Sequence, residues 1–312
     1  MDDQQTAMQR SAPKTTGIGL IAPSGYAPDA AAVARAIAYF EQRGCGVTCH
    51  FSLDRKHERF GGTDADRVTH LHDAVSDPAV EIVIALRGGY GLSRILPMID
   101  WPLLADSGKL LVGHSDFTAL QMGLLAQTGG GSFAGPMVCD DFARAPVSDM
   151  TMTHFWNCIG GSECVVHGEQ NNGPAVDACG TLWGGNLAML THLLGSAYMP
   201  AIDGGLLFLE DINEHPFRIE RMLLQLLHAG VLARQSAIIL GDFSGSRLSD
   251  YDNGFGFASV LDHLRGKLTI PIVTGLAFGH IADKVTLPVG AAATLVGDSS
   301  HWTLRASGYR SL

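Results

Sequence analysis

Leu110-Leu111-Val112-Gly113-His114-Ser115-Asp116-Phe117-Thr118-Ala119-Leu120-Gln121 is the stretch on which the reading of this chain turns. The apolar run 110–112 is a short buried strand bounded by Gly113. Phe117, Leu120, Leu124 and Leu125 then recur at helical spacing. Ser115 stands at the corner between strand and helix. A serine there projects its hydroxyl above the end of a sheet, with the next backbone N–H facing the same space at a helix N-terminus. That is the placement of a nucleophile. Gly-His-Ser-Asp is not the Gly-x-Ser-x-Gly of α/β-hydrolases, however, and helix capping by Ser115 or Asp116 is the competing reading.

The flanking sequence supplies the rest of an α/β unit. A strand followed by a turn is predicted over 17–25 and strands over 47–51 and 80–86, with helices over 30–42 and 64–76 between them. This alternation specifies a doubly wound parallel sheet with helices on both faces. Arg87-Gly88-Gly89-Tyr90-Gly91 follows the buried strand 80–86 and so falls, like Ser115, at a strand carboxyl end, where open α/β sheets bind ligands. Its glycines let a backbone approach a ligand closely and expose N–H groups to an anion. It is not in the dinucleotide register and has no phosphate-binding lysine. A tight strand-to-helix turn explains it equally well.

Beyond Pro136 the pattern loosens. Residues 1–16 read as a polar tail, 17–150 as the N-terminal α/β domain, 151–179 as a passage between domains, and 180–312 as the second domain. In that second half, strands are expected over 205–211, 237–240, 270–274 and 285–288, and helices over 187–194 and 217–228.

The 312 residues are 46% hydrophobic and 17% charged, enough for two sizeable cores. A net charge of -10 argues against nucleic acid or an anionic membrane as partner. The tail has no apolar h-region, and no run approaches the roughly 20 apolar residues of a membrane span. A cytoplasmic protein is expected. The six cysteines form no Cys-x-x-Cys, and core or half-buried roles are expected of them. The thirteen histidines form no metal-ligand motif, so neither a metal nor any other cofactor is expected.

Strand ends gather four features: Ser115, the Gly88–Gly91 loop, Glu210-Asp211 and Gly279-His280. A serine is inert at neutral pH unless a base takes its proton. Histidine is the natural base, oriented by a carboxylate. Glu210 ends an apolar strand, where an acid is costly unless partnered. Each residue also has an ordinary reading: His280 as a loop histidine, Glu210 or Asp211 as a turn cap. Glu214 and Glu220 are rivals for the acid, and His114 is a structural neighbour of the serine.

The ordered motifs Ala22-Pro23-Ser24-Gly25-Tyr26, Glu58-Arg59-Phe60, Arg87-Gly88-Gly89-Tyr90-Gly91, Gly113-His114-Ser115-Asp116-Phe117-Thr118, Gly180-Thr181-Leu182-Trp183-Gly184-Gly185-Asn186, Leu209-Glu210-Asp211-Ile212-Asn213-Glu214-His215-Pro216-Phe217-Arg218 and Phe278-Gly279-His280 closely resemble the bacterial LD-carboxypeptidases. These are the muramoyltetrapeptide carboxypeptidases, a serine peptidase family that includes the microcin-immunity peptidases. The resemblance covers nearly all of the chain after the tail. It implies a Rossmann-like N-terminal domain and a β-rich, partly barrel-like C-terminal domain, with the site in the cleft between them. It implies Ser115 as nucleophile, Glu210 as orienting acid and His280 as base. Backbone N–H groups of Gly88, Gly89 and Asp116 form the expected oxyanion hole.

The implied substrate is the murein tetrapeptide, a diaminopimelate-containing muropeptide, cut by an acyl-enzyme route to release D-alanine in cell-wall recycling. The family pattern also implies a homodimer. Candidates for contacting the substrate are Arg87, Tyr90, Trp183, Asn186 and Arg218, with Arg221 a further candidate for its carboxylate. Trp183 reads equally as core. The alternatives are a microcin-immunity-like peptidase acting on a peptide-nucleotide conjugate, and a non-catalytic muropeptide-binding protein.

Overall fold

A computed structural model describes residues 15–170 and 173–312. The expected tail therefore lies, except for Thr15 and Thr16, outside the described residues. Two sheets organise the chain. The first contains β1 (Gly17–Ile21), β2 (Gly46–Cys49), β3 (Ile82–Ala85), β4 (Leu110–Gly113), β5 (Ser132–Ala134) and β11 (Leu287–Val289), in the order β11-β5-β4-β3-β1-β2. The second contains β6 (Glu163–Glu169), β7 (Val176–Asn186), β8 (Leu206–Glu210), β9 (Ala237–Leu240), β10 (Ile272–Val273), β12 (Ala292–Gly297) and β13 (His301–Ser307), in the order β10-β9-β8-β7-β12-β13-β6.

β1 to β5 are mutually parallel, and β11 joins their edge antiparallel to β5. β1, β3 and β4 are buried at every position, as continuous apolar strands between two helical layers must be. The strand order reverses between β1 and β3. The turn after β1 and the glycine loop after β3 meet at that switch point, where the Gly25 N–H donates to the Gly88 carbonyl at 3.4 Å. Helices Ala30–Gln42 and Asp64–Ser76 span the expected residues and start on side-chain caps from Asp29 and Thr63.

In the second sheet β7 to β10 are parallel, whereas β12, β13 and β6 run antiparallel. β10 and β6 are its two edges. Trp302 on β13 nonetheless reaches the far edge, donating its indole N–H to the carbonyl of Thr274, just past β10, at 2.8 Å. The expected passage over 151–179 holds regular structure: helix Asp149–Gly160, β6 and the start of β7. β6 lies on the outer edge of the second sheet and alternates buried and exposed, so its pattern is diluted by exposed polar residues.

The two sheets meet closely near Ser115. Gly185 on β7 packs so closely on Thr118 that a Cβ there would lie 2.5 Å from the Thr118 hydroxyl. The Asn186 N–H donates to the same hydroxyl at 3.1 Å. Helix Thr118–Thr128 is buried from Thr118 through Leu124, which explains why its sequence shows little amphipathic contrast.

All six thiols are free: Cys158 and Cys164 are buried, and Cys45 and Cys139 half-buried. Cys49 and Cys179 are exposed instead of packed, Cys49 because β2 is an edge strand. Among the described residues no helix is long and apolar enough to cross a membrane.

Candidate active site

Ser115 opens a single 3₁₀ turn between β4 and helix Thr118–Thr128, with φ at +61°. A left-handed backbone at a non-glycine residue costs about 1–3 kcal/mol and persists only where surrounding structure enforces it. The enforcement comes from the next residue. The buried Asp116 carboxylate accepts the Ser24 hydroxyl at 2.6 Å and the Leu92 N–H at 3.0 Å. Asp116 is thus tied to the loops after β1 and β3. Gly88 fills the remaining gap: a Cβ there would stand 2.8 Å from both Cβ and Oγ of Ser115 and 3.3 Å from the Asp116 nitrogen.

On the second sheet, Glu210 ends β8 with no solvent exposure. Its Oε2 accepts the Nδ1–H of His280 at 2.9 Å. That bond fixes the tautomer, leaving Nε2 of the neutral ring as the acceptor. Asn186, at the end of β7, donates its amide to Glu210 at 3.2 Å and to Asp211 at 3.1 Å. Burial alone would lower the pKa of His280, but the hydrogen bond and charge of Glu210 outweigh it and hold the ring above the usual imidazole value. Burial also lifts the Asp211 carboxyl to about 6, against hydrogen bonds from Ile212, Ala188 and Asn186 and reinforced by the charge of Glu210.

A cavity of about 490 Å³ brings the two sheets' strand ends together. Ser115, Gly88, Gly89 and Arg87 line it from the first sheet's loops, and His280, Ile212 and Asn213 from the second's. The Nε of Arg87 is buried there without a partner. Glu214 and His114 have partners of their own. Glu214 is ion-paired with Arg218 four residues on. His114 is buried, donates Nδ1–H to the Gly135 carbonyl at 2.9 Å, and is held neutral by that burial, with its ring centroid 5.2 Å from that of His280.

The other expected contact residues lie elsewhere. Trp183 has no exposed surface and donates to Gln235, so packing is its role. Arg218 is exposed and occupied by Glu214, and Tyr90 is 41% exposed against Phe60. Neither is among the cavity's lining residues. Asn186 holds the two acids rather than facing the cavity. Sequence reasoning missed Met137, Asp140, Arg144 and Lys284, which also line the cavity. The looseness of 137–144 hid the first three, and nothing local marks a lysine four residues past His280.

A serine at a strained strand–helix corner and a carboxylate-bound histidine line one cavity, an arrangement compatible with hydrolysis through an activated hydroxyl. Residues 18–135 match the family model described as the LD-carboxypeptidase N-terminal domain, and 179–295 that of the LD-carboxypeptidase C-terminal domain. The chain belongs to the LD-carboxypeptidase family of serine peptidases. The crystal structure of muramoyltetrapeptide carboxypeptidase from Oxalobacter formigenes is 49% identical and superposes with a TM-score of 0.91, over 95% of this chain and 100% of that one. The murein tetrapeptide carboxypeptidase of Pseudomonas aeruginosa is 28% identical over 82% of this chain and 86% of its own. The microcin self-immunity protein MccF of Escherichia coli is 27% identical over 77% and 78%.

Proposed function

We propose that this enzyme removes the terminal D-alanine from murein tetrapeptides in cell-wall recycling, with Ser115 as nucleophile, His280 as base and Glu210 as the acid that orients it. The supporting observation is the single cavity lined by Ser115 and by a His280 whose Nδ1–H is bound to a buried Glu210. Nε2 of His280 takes the proton from Ser115 Oγ as that oxygen attacks the scissile carbonyl. The backbone N–H groups of Gly88, Gly89 and Asp116 receive the developing oxyanion, each such donor supplying about 3 kcal/mol. His280 then delivers its proton to the departing amine of D-alanine. Water, deprotonated by the same ring, attacks the acyl carbonyl and restores the Ser115 hydroxyl. The two sheets act as two domains that divide this machinery, the nucleophile on one and the base and acid on the other.

A carboxypeptidase must bind a free terminal carboxylate. Arg87 is the best placed of the expected arginines, since it lines the cavity with an unpartnered Nε. The test is a substrate comparison. Murein tetrapeptide and an aminoacyl sulfamoyl nucleoside are offered separately, and products are read by mass spectrometry. Tripeptide plus alanine supports the proposal. Cleavage of the nucleoside conjugate alone assigns the enzyme to the chemistry of the immunity peptidases instead.

A further inference from the structure

His280 is carried by the loop 274–286 between β10 and β11, which has little regular structure of its own. A segment from beyond β5 holds it. Ser148 donates its hydroxyl to Asp283 at 2.6 Å. The Thr151 hydroxyl donates to the Ala282 carbonyl at 3.1 Å and accepts the Lys284 N–H at 2.9 Å. The Thr286 N–H donates to Nδ1 of His154 at 3.1 Å. At the inner end, Lys284 Nζ pairs with Asp141 Oδ1 at 2.8 Å, and both residues are 2% exposed. Asp141 is fixed in turn by the Met137 N–H, at 2.8 Å from its other oxygen.

A buried ion pair is a poor way to obtain stability, because desolvation offsets most of its attraction. The hydroxyl and imidazole bonds already hold the loop. What the pair adds is a fixed cation in the cavity wall, since Lys284 lines the cavity and Asp141 does not. The groups around His280 are Glu210 and Asp211 from the end of β8, His114 from the end of β4 and Lys284 from its own loop, with Arg87, Asp140 and Arg144 on the same cavity. His114 is neutral, so Lys284 is the group on the His280 loop that opposes the two acids.

We propose that Lys284, held by Asp141, is a positioning residue for His280: it pins the loop that carries the base and supplies a fixed positive charge that counters Glu210. The inference rests on the reading of His280 as the base. Burial and Glu210 set opposite pulls on the ring, and the charge of Lys284 acts with burial to keep it from being held in the protonated, inactive form.

The experiment is an NMR titration of the His280 ring in the full chain, assigned by comparison with His280→Gln. In Lys284→Met the midpoint moves up by about half a unit or more, as expected for loss of a nearby like charge. In Lys284→Arg it stays near the wild-type value. The double variant Asp141→Asn/Lys284→Met leaves no unpaired buried acid and shows the upward shift even where the single variant fails to fold. The acid limb of kcat/KM on murein tetrapeptide moves up by the same amount. An unmoved His280 midpoint in both Met variants, or the same shift in Lys284→Arg as in Lys284→Met, overturns the proposal. If the wild type does not cleave murein tetrapeptide, the proposed substrate fails, while the titration still decides the role of Lys284.

Discussion

His280 and Glu210 are joined by a 2.9 Å hydrogen bond across seventy residues of sequence, and the Glu210 side of it has no contact with solvent. A carboxylate so placed holds the ring in one tautomer and stabilises the imidazolium formed during catalysis. Glu210→Gln keeps the shape, loses the charge and can present its amide nitrogen to Nδ1. We predict a fall in kcat of about 10³- to 10⁴-fold with KM little changed, as for other orienting carboxylates. Steady-state kinetics with a circular dichroism check of folding measures it.

The pH dependence of activity follows from the same bond. With His280 as the proposed base, turnover requires its neutral form, and Glu210 holds the ring's pKa above its ordinary value. The acid limb of kcat/KM should therefore lie above the roughly 6.5 of a free imidazole. In Glu210→Gln the residual activity should show that limb displaced to lower pH.

Asp211 governs a separate pH effect on stability. Its carboxyl is lifted to about 6 in the fold, against about 3.9 in an unfolded chain. The folded state therefore binds this proton more tightly. Its favourable contribution is full below the unfolded pKa and is lost as pH rises through about 6. Asp211→Asn should flatten the wild-type loss of stability between about pH 4 and 6, seen in denaturant midpoints. Above that window Asp211→Asn should be the more stable protein, by up to about 3 kcal/mol, because it lacks the buried charge whose desolvation outweighs the hydrogen bonds from Ile212, Ala188 and Asn186.

Gly88→Ala places a methyl group 2.8 Å from the Ser115 hydroxyl. Ser115 cannot yield far, because Asp116 is tied to Ser24 and Leu92. Displacement of the reacting oxygen by a fraction of an ångström to one ångström costs on the order of 10²-fold in rate. We expect kcat to fall by that order, with a small change in thermal midpoint.

Arg87→Met should separate function from stability. The Nε of Arg87 is buried and unpartnered, and a buried donor left without a partner is a liability to the fold. Unfolding measurements should find the variant as stable as the wild type or more so. KM for murein tetrapeptide should rise about 10- to 100-fold through loss of a charge-assisted contact with the terminal carboxylate.

Much of this architecture is legible in the chain. The apolar runs of β1, β3 and β4 announce a parallel sheet because both their faces are buried. Ser115, the Gly88 loop, Glu210 and His280 can be singled out because each follows or ends such a run. What brings them together is not local. β11 leaves the C-terminal half to pair with β5, and helix Asp149–Gly160 with β6 fills a stretch that reads as irregular. The pairing of Lys284 with Asp141 spans more than one hundred residues and leaves no periodic trace. Trp183 shows the converse. A tryptophan beside glycines has the look of a cleft residue, but a donor bond to Gln235 lets its whole ring be buried.

The central claim, that Ser115 is the nucleophile, is tested most directly by comparing wild type and Ser115→Ala on murein tetrapeptide, with release of alanine followed by mass spectrometry. The account predicts tripeptide and D-alanine from the wild type, and none above background from a Ser115→Ala protein whose thermal midpoint matches the wild type. Release of alanine by that variant at a rate near the wild type's would contradict it.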